Sequence, residues 1–363
     1  MASNQDYVLA PTRLDIAFAV DPAIYALSSL LAVGIHKKFS GLSPWVTRTH
    51  GAMTPSQRRS NGLVVDYLFE AVRTRRAWER FEDYLGHLER ADAEAMRDCA
   101  VEQLAHTHEQ RLAGQPPTPP ETFLNSYEAF LAHYKSSKKH ASVSNVVLKA
   151  LYELLMDPTA LRRTAVAHIG AMWAQFLERD WRRHAELLNT TVEAFGQIDF
   201  SNATLDEAVR KVMGRELRMT KAGEFAGVRH LTFLPSPHIG PYALKFRDGD
   251  LVRLVFGARL PEGATGGPSA LNRSDLLIKL SALVDETRLH ILELLVRYGE
   301  LSAQSVMEAL DQSQSSVSRH LIQLHSSGFL DVRKEARGKK LYRLNRDRIQ
   351  QLLKALDNFL LPR

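Results

Sequence analysis

Between Ser313 and Leu330 the chain reads SQSSVSRHLIQLHSSGFL, which gathers short hydroxyls, a guanidinium, an imidazole and two side-chain amides into a few helical turns. Ser313, Gln314, Ser315, Ser316, Ser318, Arg319, His320 and Gln323 are equipped for hydrogen bonding rather than for making bonds. Ser313 fits an N-cap, and the open N–H groups of a first helical turn, at the positive end of the dipole, suit a phosphate oxygen. Arg319 fits either of two contacts, a bidentate grip on guanine or a clamp on a phosphate. At about 100° per residue, Val317, Leu321 and Leu324 share one face, and Ser315, Ser316, Arg319 and Gln323 take the other. The first face predicts packing. The second predicts a surface that reads a DNA major groove.

The surrounding sequence supplies the elements that hold such a helix. DETRLHILELLVRYGEL reads as a helix capped by Asp285 and stopped by Gly299, with Leu289, Ile291, Leu292, Leu295 and Val296 as its apolar side. Ser302 caps a second helix, AQSVMEAL, whose Val306, Met307 and Leu310 meet the recognition helix across the turn Asp311-Gln312. After Gly328, the strands FLDVRKE and KKLYRLN flank Ala336-Arg337-Gly338, a β-hairpin with a basic tip. Arg333, Lys334, Arg337, Lys339 and Lys340 make this wing the second expected DNA contact. Residues 314–346 hold eight Lys or Arg against two acids, a net charge equal to the +6 of the whole chain. Charge confined to a helix and wing is the electrostatic footprint of a nucleic-acid surface.

These motifs resemble the ArsR family of bacterial winged-helix repressors. Asp285-Glu286-Thr287-Arg288 stands for its first helix start, Leu301-Ser302 for its second, and Ser313–Leu321 for its recognition helix. Two positions depart from the pattern: Glu286 replaces the usual proline, and Ile322 stands where a basic residue often follows, which removes a phosphate contact. The resemblance, over about the last quarter of the chain, implies a homodimer on an inverted repeat of double-stranded DNA. Helices near 272–283 and 346–360 would pack across the two-fold. Ile349, Leu352, Leu353, Leu356 and Leu360 form an apolar face that a lone winged helix would leave exposed, so they are the expected dimerisation residues.

The family's metal positions fall on AQSVMEAL and RDRIQQLLKALDNFLL, which contain neither Cys nor His. The single cysteine, Cys99, has His106 and His108 nearby but no second thiol, so no metal, cofactor or internal disulfide is expected. The start MASNQDYVLAPTR has no apolar run after a basic segment, and no apolar stretch approaches membrane-spanning length, so a cytoplasmic chain without a membrane partner is expected.

The expected fold is mainly α with small β elements (α+β): a helical sensor or dimerisation domain with a small sheet over 1–260, a Gly/Pro-rich linker over 261–270, and the winged helix-turn-helix over 271–363. Leu14, Ile16, Phe18 and Val20 alternate as a half-buried strand, VRHLTFL is another, and YALKFR and LVRLVFG flank a hairpin turn at Asp248-Gly249-Asp250. FLPSPHIGPYALKFRDGDLVRLVFGAR resembles part of an uncharacterised domain that precedes ArsR-type helix-turn-helices in some bacterial regulators. Trp173 and Trp181 are read as helix packing, and His238 and Tyr242 as members of a rigid Pro-rich loop. The alternative is that these four wall a pocket for a small-molecule effector.

Two rival functions share the winged helix: an enzyme with an appended DNA-binding module, and a protein-interaction adaptor. The chain has no Gly-rich phosphate loop, G-x-S-x-G elbow, H-E-x-x-H pair or paired-cysteine motif, so no catalytic residue is assigned. An adaptor needs no basic wing.

Overall fold

The computed structural model describes residues 14–39, 41–106, 110, 114–136, 143–214, 227–261, 276, 279–334 and 339–361. It is mainly helical with two small sheets, as the sequence predicts. Contacts group the chain into two compact units, one of Asp21–Ile35 with Pro44–Arg183, the other of Met1–Val20, His36–Ser43 and His184–Arg363. This grouping differs from a division at 261–270, because the strands of the N-terminal region fall in with the winged helix. Residues 262–270 lie outside the described residues. No helix among the described residues is long and apolar enough to cross a membrane.

Among the described residues, the first unit's regular elements are all helical. The unit comprises α1 (Pro22–Ile35), α2 (Pro44–Ala52), α3 (Pro55–Asn61), α4 (Phe69–Val72), α5 (Phe81–Arg90), α6 (Ala93–Ala105), α7 (Pro120–Phe123), α8 (Tyr127–Ser136), α9 (Asn145–Met156) and α10 (Pro158–Met172). Wider π-helical turns continue α3 at Gly62–Tyr67 and α10 at Trp173–Leu177. Helix α1 is apolar nearly all round and correspondingly buried. Asp21 caps it, its Oδ1 accepting from the N–H groups of Ala23 and Ile24 at 2.8 and 3.0 Å and its Oδ2 from Trp78 N–H at 3.2 Å. Trp173 is 7% exposed and lies flat on Phe81 with ring centroids 3.9 Å apart. Trp181 meets Tyr25 edge-on at 4.9 Å. Both tryptophans thus make the packing contacts expected of an apolar helix stripe.

The second unit begins with β1 (Asp15–Phe18) and resumes with α11 (Glu178–Gly196, from His184 onward), α12 (Leu205–Met213), β2 (His230–Ser236), β3 (Ala243–Asp248) and β4 (Leu251–Gly257). The strands form one sheet in the order β1-β2-β4-β3, with β1 and β4 parallel to β2 and β3 antiparallel to β4. Asp248 pairs with Leu251, which leaves the two-residue turn Gly249-Asp250 that the DGD signal predicts. Phe195, Val209, Val212 and Met213 cover one face, against Leu231, Phe233, Leu254 and Phe256. Phe18 stacks between Phe195 and Phe233 at 5.5 and 5.2 Å and so ties β1 into this core.

Burial of His168 in the helical unit pulls its pKa down to about 4, while its Nε2 lies 3.2 Å from Asn61 Oδ1. The unfolded chain therefore binds the extra proton first. Stability present at neutral pH should be lost between about pH 6.5 and 4, by an amount on the order of 3 kcal/mol. Urea midpoints followed by circular dichroism should show this slope in the wild type and a shallower one in His168→Gln.

Candidate nucleic-acid interface

The winged helix is built from α13 (Glu286–Tyr298), β5 (Glu300–Ser302), α14 (Ala303–Leu310), α15 (Gln314–Ser326), β6 (Leu330–Lys334), β7 (Lys340–Leu344) and α16 (Arg346–Leu360). Each expected cap is formed: Asp285 Oδ1 accepts from Arg288 N–H at 3.0 Å, Ser302 Oγ from Ser305 at 3.1 Å, and Ser313 Oγ from Ser316 at 3.3 Å. Asp311 ends α14 in the left-handed region at φ 49, which makes the tight turn into α15. The hairpin β6–β7 pairs Leu330 with Leu344 through Lys334 with Lys340, and β5 joins its far side to give the order β5-β7-β6.

Helix α15 buries Val317, Leu321 and Leu324 in a core shared with Ile291, Leu295, Val306, Phe329 and Leu330. Gln314, Ser315 and Arg319 are exposed, with Ile322 beside them; Ser316 and Ser318 are half-buried, and Ser316 Oγ donates to Gln312 at 2.9 Å. Two residues expected to face outward do not. Gln323 is 1% exposed and its Oε1 accepts from Arg288 Nη1 at 2.7 Å. His320 turns its Nδ1 toward Asp285 Oδ1 at 3.5 Å; burial lowers its pKa, with Asp285 opposing and Arg288 and Arg319 assisting the shift. The physical reason for the first is angular. Gln323 lies about 80° around the helix from Ser315, at the margin of the outward face, where a buried guanidinium claims it.

Arg288 is the group the sequence reading missed. Its Nε donates to Ala282 C=O at 2.6 Å and its Nη2 to Ser281 C=O at 2.8 Å, with Asp285 at 3.6 Å. The inward side of α13 is therefore Arg288, Ile291 and Leu295, while Leu289 and Val296, read as apolar core, are exposed. An arginine three residues after an N-cap acid and in line with Ile291 and Leu295 was the available signal.

Behind Gln323 lies a close backbone contact. A methyl on Gly41, at φ +86, would lie 2.9 Å from Gln323 Nε2, and one on Gly240, at φ +58, would lie 2.0 Å from Gly41 C=O. His238 is fully buried on the same loop, its C=O accepting from Ser43 N–H at 3.0 Å, with its ring edge-on to His184 at 6.0 Å. Tyr242 packs edge-on against Phe39 at 4.9 Å. Of the four residues read as an alternative pocket wall, His238 and Tyr242 belong to this unit and Trp173 and Trp181 to the helical one.

On the wing, Lys339 and Lys340 are exposed. Arg333 is held by Glu300, Nε to Oε1 at 2.9 Å and Nη2 to Oε2 at 2.6 Å, which keeps the Glu300 carboxyl below the usual carboxylate range. Arg337 lies outside the described residues, and only the strand position of Lys334 is described. The apolar face of α16 is also partly corrected. Leu352 is buried, and Ile349 and Leu356 pack against the winged-helix core, whereas Leu353 is 60% and Leu360 62% exposed. A helix of this length covers its own domain first, so only the residual stripe remains.

Residues 285–332, the span from the Asp285 cap to the start of the wing, match the family described as bacterial regulatory protein, arsR family. These residues form an arsR-family helix-turn-helix. The chain is similar to the arsenical resistance operon repressor of Escherichia coli K12, 51% identical over 55 residues, covering 15% of this chain and 47% of that protein. The arsenic resistance transcriptional regulator ArsR2 of Pseudomonas putida KT2440 is 44% identical over 64 residues, 18% of this chain and 55% of its own. An uncharacterized HTH-type transcriptional regulator of Methanocaldococcus jannaschii is 33% identical over 76 residues, 21% of this chain and 84% of its own. The chain thus spans about half the length of the first two relatives, and the matches cover about a fifth of it or less.

Removing the Gln323 amide strands a buried guanidinium. Gln323→Ala should cost about 1–3 kcal/mol of stability and leave the salt dependence of any duplex binding unchanged. Gly240→Ala should destabilise by at least about 2 kcal/mol, since both the left-handed backbone and the Gly41 carbonyl exclude a methyl. Thermal melts of the two variants, with duplex titrations at several salt concentrations for the first, check both.

Proposed function

We propose that the protein is a sequence-specific transcriptional regulator that binds double-stranded DNA as a homodimer on an inverted repeat, acting as a repressor. The observation that carries this reading is the capped helix α15, which presents Gln314, Ser315 and Arg319 outward beside a hairpin bearing exposed Lys339 and Lys340. The open N–H groups of its first turn and the hydroxyls beside them suit a phosphate, and Arg319 suits a guanine edge. The arsR-family match of residues 285–332 supports the same function. In this reading residues 271–363 bind DNA and residues 1–260 receive the signal.

For the dimer, the support is the exposed pair Leu353 and Leu360, seven residues apart and therefore on one stripe of α16, together with exposed Leu289 and Val296, equally spaced on α13. The signal is proposed to be neither metal nor thiol oxidation. Helix α14 carries no cysteine or histidine, and Cys99 is the sole cysteine, on α6 of the helical unit. The arsenic named for two of the relatives would find no thiol pair here.

Arg319→Ala should reduce discrimination between a selected duplex and single-base variants by about 1–3 kcal/mol at one position. The double change of Lys339 and Lys340 to Ala should weaken all duplexes alike and lower the salt slope by about one per lost contact. Fluorescence anisotropy between low and moderate salt separates the two. For assembly, light scattering at micromolar concentration should report a dimer that Leu353→Glu with Leu360→Glu converts to monomer.

A further inference from the structure

The outward face of α15 carries one apolar side chain among its polar ones. Of the large aliphatic residues on this helix, Val317, Leu321 and Leu324 are fully buried in the winged-helix core, whereas Ile322 is 44% exposed. Its angular position is central to the reading surface. At about 100° per residue, Ile322 lies about 20° to one side of Ser315 and Arg319 about 40° to the other, so the three share an arc of about 60°. Water satisfies the hydroxyl and the guanidinium, but it gives the isoleucine no compensating bond. Exposed apolar area of this kind gains free energy only by meeting another apolar group.

The direction of the side chain narrows what it can meet. A helical side chain leans toward the N-terminus over the preceding turn. Ile322 therefore lies over the positions three and four before it, the exposed Arg319 and the half-buried Ser318. Branching at Cβ holds it essentially in one rotamer. Uncharged and short, it cannot take the phosphate contact that a lysine or arginine in the same place would make. Among the base edges of a major groove, the apolar group on offer is the C5-methyl of thymine.

We propose that Ile322 is a specificity-determining residue that packs on the C5-methyl of a thymine beside the base pair read by Arg319. The spacing supports neighbouring base pairs: three residues advance about 4.5 Å along the helix axis, close to one base step of about 3.4 Å. The two side chains then divide the work. A guanidinium recognises the acceptor edge of guanine, and the isoleucine recognises a methyl that guanine, adenine and cytosine all lack. The inference rests on the DNA-binding reading above and adds one base to it.

The probe is the duplex that the full-length protein selects from random sequence, with each thymine replaced in turn by deoxyuridine. That replacement removes the methyl and keeps every hydrogen-bonding group of the base. Fluorescence anisotropy should find a position where it weakens wild-type binding by about fourfold, the worth of one methyl group withdrawn from water. Ile322→Ala should bind the thymine and deoxyuridine duplexes equally, and Ile322→Val should keep most of the difference. Ile322→Lys should lose the difference and steepen the salt slope by about one. Melting temperatures of the three variants should stay close to that of the wild type, because the side chain lies outside the buried core. Selective wild-type binding that no deoxyuridine weakens, or a thymine preference that survives in Ile322→Ala, overturns the proposal and leaves the DNA-binding reading intact. Absence of any selective duplex binding overturns both.

Discussion

A single buried guanidinium fixes the geometry of the winged helix. Arg288 is 5% exposed, and burial drags its pKa below the ordinary arginine value while Asp285 resists the shift. A charge so placed must be compensated in full, because each hydrogen-bond partner left out costs about 1–3 kcal/mol. Its partners come from three places: the carbonyls of Ser281 and Ala282 before α13, the cap Asp285, and Gln323 on α15. The rotation of α15 about its own axis is thereby specified, and with it the direction in which Ser315 and Arg319 face. Gly41 backs Gln323 and Gly240 backs Gly41, so the loops of the four-stranded sheet and the reading helix are packed as one piece.

The division of labour on α15 follows from that constraint. Residues that meet Arg288 or the core, namely Gln323, His320, Val317, Leu321 and Leu324, set position; those a turn away face out. The wing repeats the arrangement on a sheet. Its inner face carries Val332, Tyr342 and Leu344, and its outer face carries Arg333, Arg343 and the acids that hold them. Basic charge concentrated on such a frame attracts a polyanion from a distance, while the framed donors at short range discriminate what has arrived.

The helix-turn-helix was legible because local signals decide it. Caps at Asp285, Ser302 and Ser313 and the stop at Gly299 each depend on chemistry within a few residues, and each appears where the sequence puts it. The strand at Asp15–Phe18 and the turn at Gly249-Asp250 were legible for the same reason. What was hidden depends on partners distant in sequence. Gln323 and Arg288 are 35 positions apart, and polarity alone places both on a surface. The leucines of α16 divide between core and surface according to what α13 and α15 leave uncovered, a matter of packing that periodicity cannot rank. The parallel pairing of β1 with β2 joins residues more than two hundred positions apart, beyond any local pattern.

The most direct test of the account is a hydroxyl-radical footprint of the full-length protein on a duplex selected by it from random sequence. A two-fold pair of outward-facing α15 helices predicts two equivalent protected patches, related by the symmetry of an inverted repeat, with half-site centres roughly 34 Å or a multiple of it apart. A single unsymmetrical patch, or protection that follows no sequence at all, would contradict it.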